Sequence, residues 1–155
     1  SYAAIAALIV LVVSDIRFQI LPDGAMIVLG LSALVASVAR GNIVYDAAAA
    51  CVIAAFFAGL WYVSGGRWMG LGDAKLAFAT SLGLGFPASI AGFLFAFWLG
   101  GLVAIPLLVL GRKGPGSRIA FGPFLAAGAV LAYFFADFFF VLTGLNSLFW
   151  YSFFW

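Results

Sequence analysis

The sequence predicts an all-α, polytopic integral membrane protein with about six transmembrane helices. Three observations carry this. Of 155 residues, 67% are hydrophobic and 8% charged, with a mean hydropathy of +1.26. A soluble domain carries about 25% charged residues, so this inventory does not supply a water-facing surface. Apolar runs recur between charged or Gly/Pro-rich breaks. The basic residues fall almost entirely on alternate connections between those runs.

A helical span needs roughly 20 apolar residues. The first run is Tyr2 to Val13, the second Gly24 to Ala39 and the third Ala47 to Val63. A shorter fourth follows Asp73 and ends near Phe86-Pro87. The fifth covers Ala88 to Leu110 and the sixth Phe121 to Thr143. The aromatic tail Leu148 to Trp155 is too short to cross again and reads as interfacial, because Trp and Tyr favour the headgroup level. The chain reads as a single membrane-embedded domain over residues 1–155. It begins at Ser1 inside an apolar run, so an initiator region is expected to be missing, and no cleavable signal sequence is read.

Orientation follows from the basic residues. Arg17, Arg67, Lys75, Arg112, Lys113 and Arg118 belong to one set of connections and Arg40 alone to the other. Positive charge marks the cytosolic side, which places the connections after the first, third and fifth runs in the cytosol.

The inventory excludes much chemistry. There is no histidine and no glutamate, and Cys51 is the single cysteine. Zinc or iron sites assembled from His, Cys and Glu within the chain are excluded, as are Ser-His-Asp and Cys-His mechanisms. One cysteine forms no internal disulfide. A net charge of +2 is too small to indicate nucleic acid as a partner.

Attention therefore falls on the five aspartates, since ionisable residues within a bilayer are functional candidates. Asp15 and Asp23 flank the first cytosolic connection and Asp73 closes the second, while Asp46 and Asp137 belong near the outer face. From Asp73 to Pro87 a helix covers about 21 Å at 1.5 Å per residue, against a hydrocarbon core of about 30 Å. With Pro87 at the outer turn, Asp73 lies several ångströms inside the membrane, behind Gly70-Leu71-Gly72. Irregular backbone at that depth requires surrounding protein or a watery cavity. The two glycines are expected to supply positive φ and close backbone approach.

The expected arrangement is Asp15 facing Asp73 across a small water-filled cavity. Two close carboxylates resist double ionisation, share a proton and titrate together. The ionised member can take a proton from water while the protonated one polarises a carbonyl, which is aspartyl peptide hydrolysis without metal or covalent intermediate.

Plainer readings stand beside this one. Asp23 and Asp46 read as N-caps of the second and third helices, and Asp73 by itself reads equally as a cap of the fourth. Asp15 alone reads as a solvated charge beside Arg17. Lys75 reads as snorkelling to the headgroups, as biasing the protonation of the pair, or as the base for a serine nucleophile, with Ser14, Ser64 and Ser117 on its side. Cys51 reads as a packed thiol. Asp137, in an aromatic stretch near the outer boundary, has no assigned role.

Three segments resemble one known family. Gly70-Leu71-Gly72-Asp73-Ala74-Lys75-Leu76 is similar to the G-x-G-D-x-K-L element of type IV prepilin peptidases, polytopic aspartyl proteases of the bacterial inner membrane. Asp15 through Leu21-Pro22-Asp23 resembles their first catalytic segment, in which the leading aspartate is catalytic and the Pro-containing turn opens the next helix. Phe121-Gly122-Pro123-Phe124-Leu125 is similar to the stretch opening their last helix, here on the cytosolic side, where Gly122 and Pro123 would line the substrate path.

The resemblance implies Asp15 and Asp73 as the catalytic pair, with Pro22, Gly70, Gly72, Lys75, Gly122 and Pro123 as motif positions. It implies prepilins or the pseudopilins of type II secretion as substrates, in which a short basic leader ending in glycine is cut off on the cytosolic side ahead of an apolar helix. A glycine weakens a helix by about 1 kcal/mol relative to alanine, which suits the local unwinding that hydrolysis needs. Longer members also N-methylate the new terminus with S-adenosylmethionine and carry a cysteine-rich N-terminal region. This chain has neither that region nor its cysteines, so the expectation is peptide hydrolysis without a cofactor, S-adenosylmethionine entering only where methylation is retained.

The alternatives are a small proton-coupled transporter or channel using the aspartates as relays, and a non-catalytic membrane subunit packing through small-residue faces. Transporter sites lie near the midplane at a repeat interface, whereas here the acids gather near one face and no repeat is visible. Presenilin-like proteases share G-x-G-D but have more spans and a different first-aspartate context.

Overall fold

The computed structural model describes residues 2–67, 69–109 and 121–144. Six helices follow in order: α1 (Tyr2–Phe18), α2 (Asp23–Arg40), α3 (Ile43–Ser64), α4 (Leu71–Leu84), α5 (Ala88–Val109) and α6 (Gly122–Leu142). No strand occurs among the described residues. Residues 19–22, 41–42, 65–70 and 85–87 make the connections up to α5, and connections this short leave sequential helices antiparallel. Arg112, Lys113, Ser117, Arg118 and the aromatic tail Leu148 to Trp155 lie outside the described residues.

The helices begin and end where the backbone chemistry requires. Pro22, at φ −65° and ψ 129°, precedes α2, and Pro123 occupies the first turn of α6, where its missing N–H leaves no bond unmade. Three boundaries differ from the sequence expectation. α1 runs past Val13 to Phe18, since nothing interrupts it until Gln19 turns left-handed at φ 52°, its N–H still bonded to the Asp15 carbonyl at 3.0 Å. Asp15 is therefore a helical residue with a fixed direction. α2 begins on Asp23 itself, which makes no capping hydrogen bond; Pro22 holds the cap position. α3 begins at Ile43 behind Asn42, which places Asp46 inside its first turn rather than at its cap.

Four helices, α2, α3, α5 and α6, are long and apolar enough to cross a membrane unaided. α1 has 17 residues and α4 only 14. The short α4 is central, packing against α2, α3, α5 and α6, with most of its residues buried. Leu11, Leu29, Phe57, Leu76, Ala77, Ala96 and Leu125, drawn from all six helices, form the main core around it. Large apolar side chains such as Val52, Tyr62, Leu102 and Phe138 cover the outside, as expected of a bundle solvated by lipid. The molecule is a polytopic, all-α membrane protein.

Where lipid is as apolar as the side chains, helices associate through close packing of small residues. The α5–α6 crossing shows this. A Cβ on Gly128 would stand 2.5 Å from the Gly92 carbonyl oxygen and 2.6 Å from the Ala96 nitrogen, so the two backbones touch there. Cys51, expected to be packed, is instead exposed on α3. α3 is apolar all round, so composition does not say which face turns outward.

One end of the bundle is tied by a half-buried ion pair. Arg40 Nη2 lies 2.9 Å from Asp46 Oδ2, with Asp46 only 1% exposed. The same guanidinium donates to the carbonyls of Leu82 at 2.8 Å and Gly83 at 2.9 Å, the last turn of α4, whose orphan carbonyls need donors. Ser37 Oγ and the Phe86 N–H both donate to Asp46 at 2.8 Å. The group closes over Gly85, whose φ of 79° and closeness to the guanidinium (2.9 Å from a would-be Cβ) admit only glycine. The end of α2, the start of α3 and the end of α4 are thereby set to one level.

That level fixes the depth of Asp73. Asp46 and Gly83 lie side by side; α3 continues 18 residues to Ser64, while α4 has only ten back to Asp73. At 1.5 Å per residue Asp73 is recessed by about 12 Å from the far end of α3.

Candidate active site

At the recessed end, α1, α4 and α6 each bring one group to a common point. Asp15 projects from the last turn of α1 and Asp73 from the first turn of α4, each 5% exposed. The Gly122 N–H, at the start of α6, donates to Asp15 Oδ2 at 3.0 Å. It also lies within electrostatic reach of Asp73, whose acidic neighbour is Asp15. Two acids and one free helix N-terminus thus form a single cluster. The first N–H groups of a helix have no intrahelical acceptor and suit a carboxylate.

Asp73 is held by its own turn. Its Oδ2 accepts the Gly70 N–H at 3.1 Å, and its N–H donates to the Gly70 carbonyl at 3.2 Å. This is the return half of a capping box; glycine has no side chain to supply the other half. Asp73 therefore caps α4 with one oxygen. The other oxygen, Oδ1, is buried with no hydrogen-bond partner. Buried carboxylate oxygens are normally bonded, and no group among the described residues bonds this one.

Of the two glycines only Gly72 acts through close approach; a Cβ on Gly70 would meet nothing nearer than 3.8 Å. Gly70 is extended at φ −85°, ψ 154°, and neither it nor Gly72 has a positive φ, which corrects the expectation. Gly72 is needed for close approach: a Cβ there would stand 2.8 Å from Leu21 Cδ1. Leu21, one residue before Pro22, lies over the first turn of α4. A Cβ on Gly122 would stand 2.5 Å from Asp15 Oδ2. Phe121 sets the start of α6, its ring 5.4 Å from Phe57 and 5.7 Å from Phe124 and close against Gly100.

Sequence reasoning did not single out Leu21 or Phe121 as positioning groups. The available signal was a bulky apolar residue immediately before each turn that feeds an aspartate or its donor.

The remaining candidates lie apart. Asp23 is exposed. Lys75 is exposed, and no ion pair joins it to either acid among the described residues. The hydroxyls of Ser14 and Ser64 donate to the carbonyls of Ile20 at 2.8 Å and Trp61 at 3.1 Å, not toward Lys75. Asp46 is absorbed in the ion pair at the opposite end. Asp137 is exposed on α6. No three metal-capable side chains gather among the described residues.

A helical membrane bundle holding two buried aspartates around one backbone amide, recessed at one end, defines a membrane protein with an embedded acidic site. The chain belongs to the type IV leader peptidase family, whose profile matches residues 2–105; the matched stretch contains both aspartates and stops short of Gly122. The chain is also 30% identical over 138 residues to the prepilin leader peptidase/N-methyltransferase of Bacillus subtilis (strain 168), covering 86% of this chain. It spans about half the length of that curated relative, 54%. No solved structure matches.

Proposed function

We propose that this chain is a membrane aspartyl endopeptidase that removes the basic leader from type IV prepilins or type II secretion pseudopilins. The observation that carries this reading is the pairing of buried Asp15 and Asp73 around the Gly122 N–H. Family membership and the curated relative support the substrate class.

In this mechanism the two carboxyls share one proton. The ionised member takes a proton from a water molecule, which attacks the scissile carbonyl carbon; the protonated member donates to the carbonyl oxygen as it gains charge. As the tetrahedral intermediate collapses, one acid gives its proton to the leaving amine and the other takes a proton from a hydroxyl of the intermediate, which restores the shared proton. Gly122 holds Asp15 Oδ2 and Gly70 holds Asp73 Oδ2, so both acids are oriented before the reaction, and Asp73 Oδ1 is free to meet water or substrate. Prior orientation of this kind accounts for a large part of catalytic rate. Peptide hydrolysis here requires no cofactor; S-adenosylmethionine enters only where methylation is retained. The clustering of Arg17, Arg67 and Lys75 at the end holding the acids supports a cytosolic site in the inner (plasma) membrane.

The test is cleavage of a leader-bearing prepilin by detergent-solubilised protein. Asp15→Asn and Asp73→Asn are expected to abolish cleavage while remaining folded, and Asp23→Asn to retain it. Activity surviving either dyad substitution sinks the mechanism.

A further inference from the structure

A cavity of about 890 Å³ opens between the α1/α2 pair and α6. α2 and α6 make no contact with one another; α4 lies between them and forms the floor with Ala79, Thr80 and Gly83. Ala33 and Ala36 continue that floor on α2, and Val35 and Val130 stand exposed on opposite walls. No charged residue lines the cavity, and the Thr80 hydroxyl is already bonded to the Leu76 carbonyl at 2.8 Å.

The register connects this groove to the acids. On α1, Leu8 precedes Asp15 by seven residues; on α4, Ala79 follows Asp73 by six; on α6, Ala129 follows Gly122 by seven. On all three helices the groove therefore begins about 10 Å from the cluster and lies toward the Arg40 end. The far lining residues Ala4, Leu84 and Phe134 lie eleven or twelve positions away, about 17 Å. Three independent helices agree on both limits.

We infer that this groove seats an apolar helix of the substrate that continues from the scissile bond toward the Arg40 end of the bundle; this rests on the peptidase reading above. A chain leaving the acids into lipid must satisfy its own backbone, so it leaves as a helix. A helix so placed brings the residues roughly six to twelve beyond the cut into the groove. Apolar walls give it no hydrophobic preference over lipid, so the seat works through close approach, for which the Ala and Gly floor is built. The exposed outer lining makes the seat open sideways, letting a substrate enter from the bilayer while its leader stays at the other end.

The test is site-directed crosslinking in liposomes on a Cys51→Ser background. The probe is a synthetic peptide of a few lysines, a glycine and a long leucine/alanine helix, with one cysteine near its start, near its ninth residue or near its far end. Val35→Cys and Val130→Cys place a thiol on each wall; Val52→Cys places one on an exposed face of α3. The expected result is crosslinking of the ninth-residue probe to both wall positions roughly tenfold above Val52→Cys, since only a held helix has a raised local concentration. Equal yields at all three positions, no peptide crosslink, or a product joining two copies of the protein overturns the inference, the last two assigning the groove to lipid or to self-association. Crosslinking is read without cleavage, so a peptide held at the walls and never cut supports the seat and counts against the hydrolytic reading. A peptide cut but never held there does the reverse.

Discussion

The amide of Gly122 and the carboxylate of Asp15, 107 positions apart, are joined at 3.0 Å, and a Cβ on residue 122 would stand 2.5 Å from the accepting oxygen. The start of α6 thus orients the acid of α1, and only glycine permits it.

Gly122→Ala follows directly. The methyl displaces the Asp15 carboxyl or pushes α6 away, and a displacement near 1 Å at reacting atoms costs about a hundredfold. Prepilin cleavage is expected to fall by about that factor in kcat, with helix content by circular dichroism unchanged. A variant cleaving at the wild-type rate would remove Gly122 from the site.

Gly72→Ala is expected to be milder. Its Cβ meets Leu21 Cδ1, the end of a flexible side chain that can turn aside. The expected loss of cleavage is a few-fold, and Leu21→Ala in the same chain should restore most of it. Failure of the second substitution to rescue would show that Gly72 acts through something other than the Leu21 contact.

Asp46→Ala is expected to lower stability without touching the acids at the other end. It removes the acceptor shared by the Arg40 guanidinium, the Phe86 N–H and the Ser37 hydroxyl. Removing one partner of a buried pair costs about 3–5 kcal/mol, and the partial exposure of Arg40 puts this case near the lower figure. Thermal unfolding in detergent should drop by several degrees, while cleavage at low temperature persists. Arg40→Lys should also destabilise, because an ammonium does not reach one carboxylate and two carbonyls from a fixed fork.

Two glycine-to-alanine changes should differ in sign. At Gly128 the new methyl meets the Gly92 carbonyl and the Ala96 nitrogen, and overpacking of this kind costs about 1–3 kcal/mol. At Gly59, within α3, nothing lies within 4 Å, and alanine gains about 1 kcal/mol of helix propensity. Paired thermal unfolding curves check both; a stabilised Gly128→Ala would mean the helices cross elsewhere.

Much of this molecule is legible in its sequence. Apolar runs broken by Pro22, Gly41, Gly65-Gly66 and Pro87 mark the helices, because proline and glycine end helices for local backbone reasons. The recess of Asp73 was legible as well, since its distance from Pro87 is a matter of helix rise. The Arg40–Asp46 pair was within reach: a basic residue closing one helix and an acid in the first turn of the next, across a two-residue turn. Taken against its own helix alone, Asp46 gives a cap and not this pair.

Other features depend on which faces meet. α3 is apolar on every side, so nothing local says that Phe57 turns inward and Cys51 outward. Nineteen glycines and many alanines make every helix a candidate for close packing, and only the crossing shows that Gly92 and Gly128 carry it. The solvent and the helices follow from the residues alone, because composition, hydropathy and helix rise are local quantities. The tertiary structure alone decided that Gly122 holds Asp15, that Leu21 covers Gly72, and that α2 and α6 stand apart over α4. Those are contacts between distant residues, and in lipid, where apolar surface confers no preference, they are selected by shape.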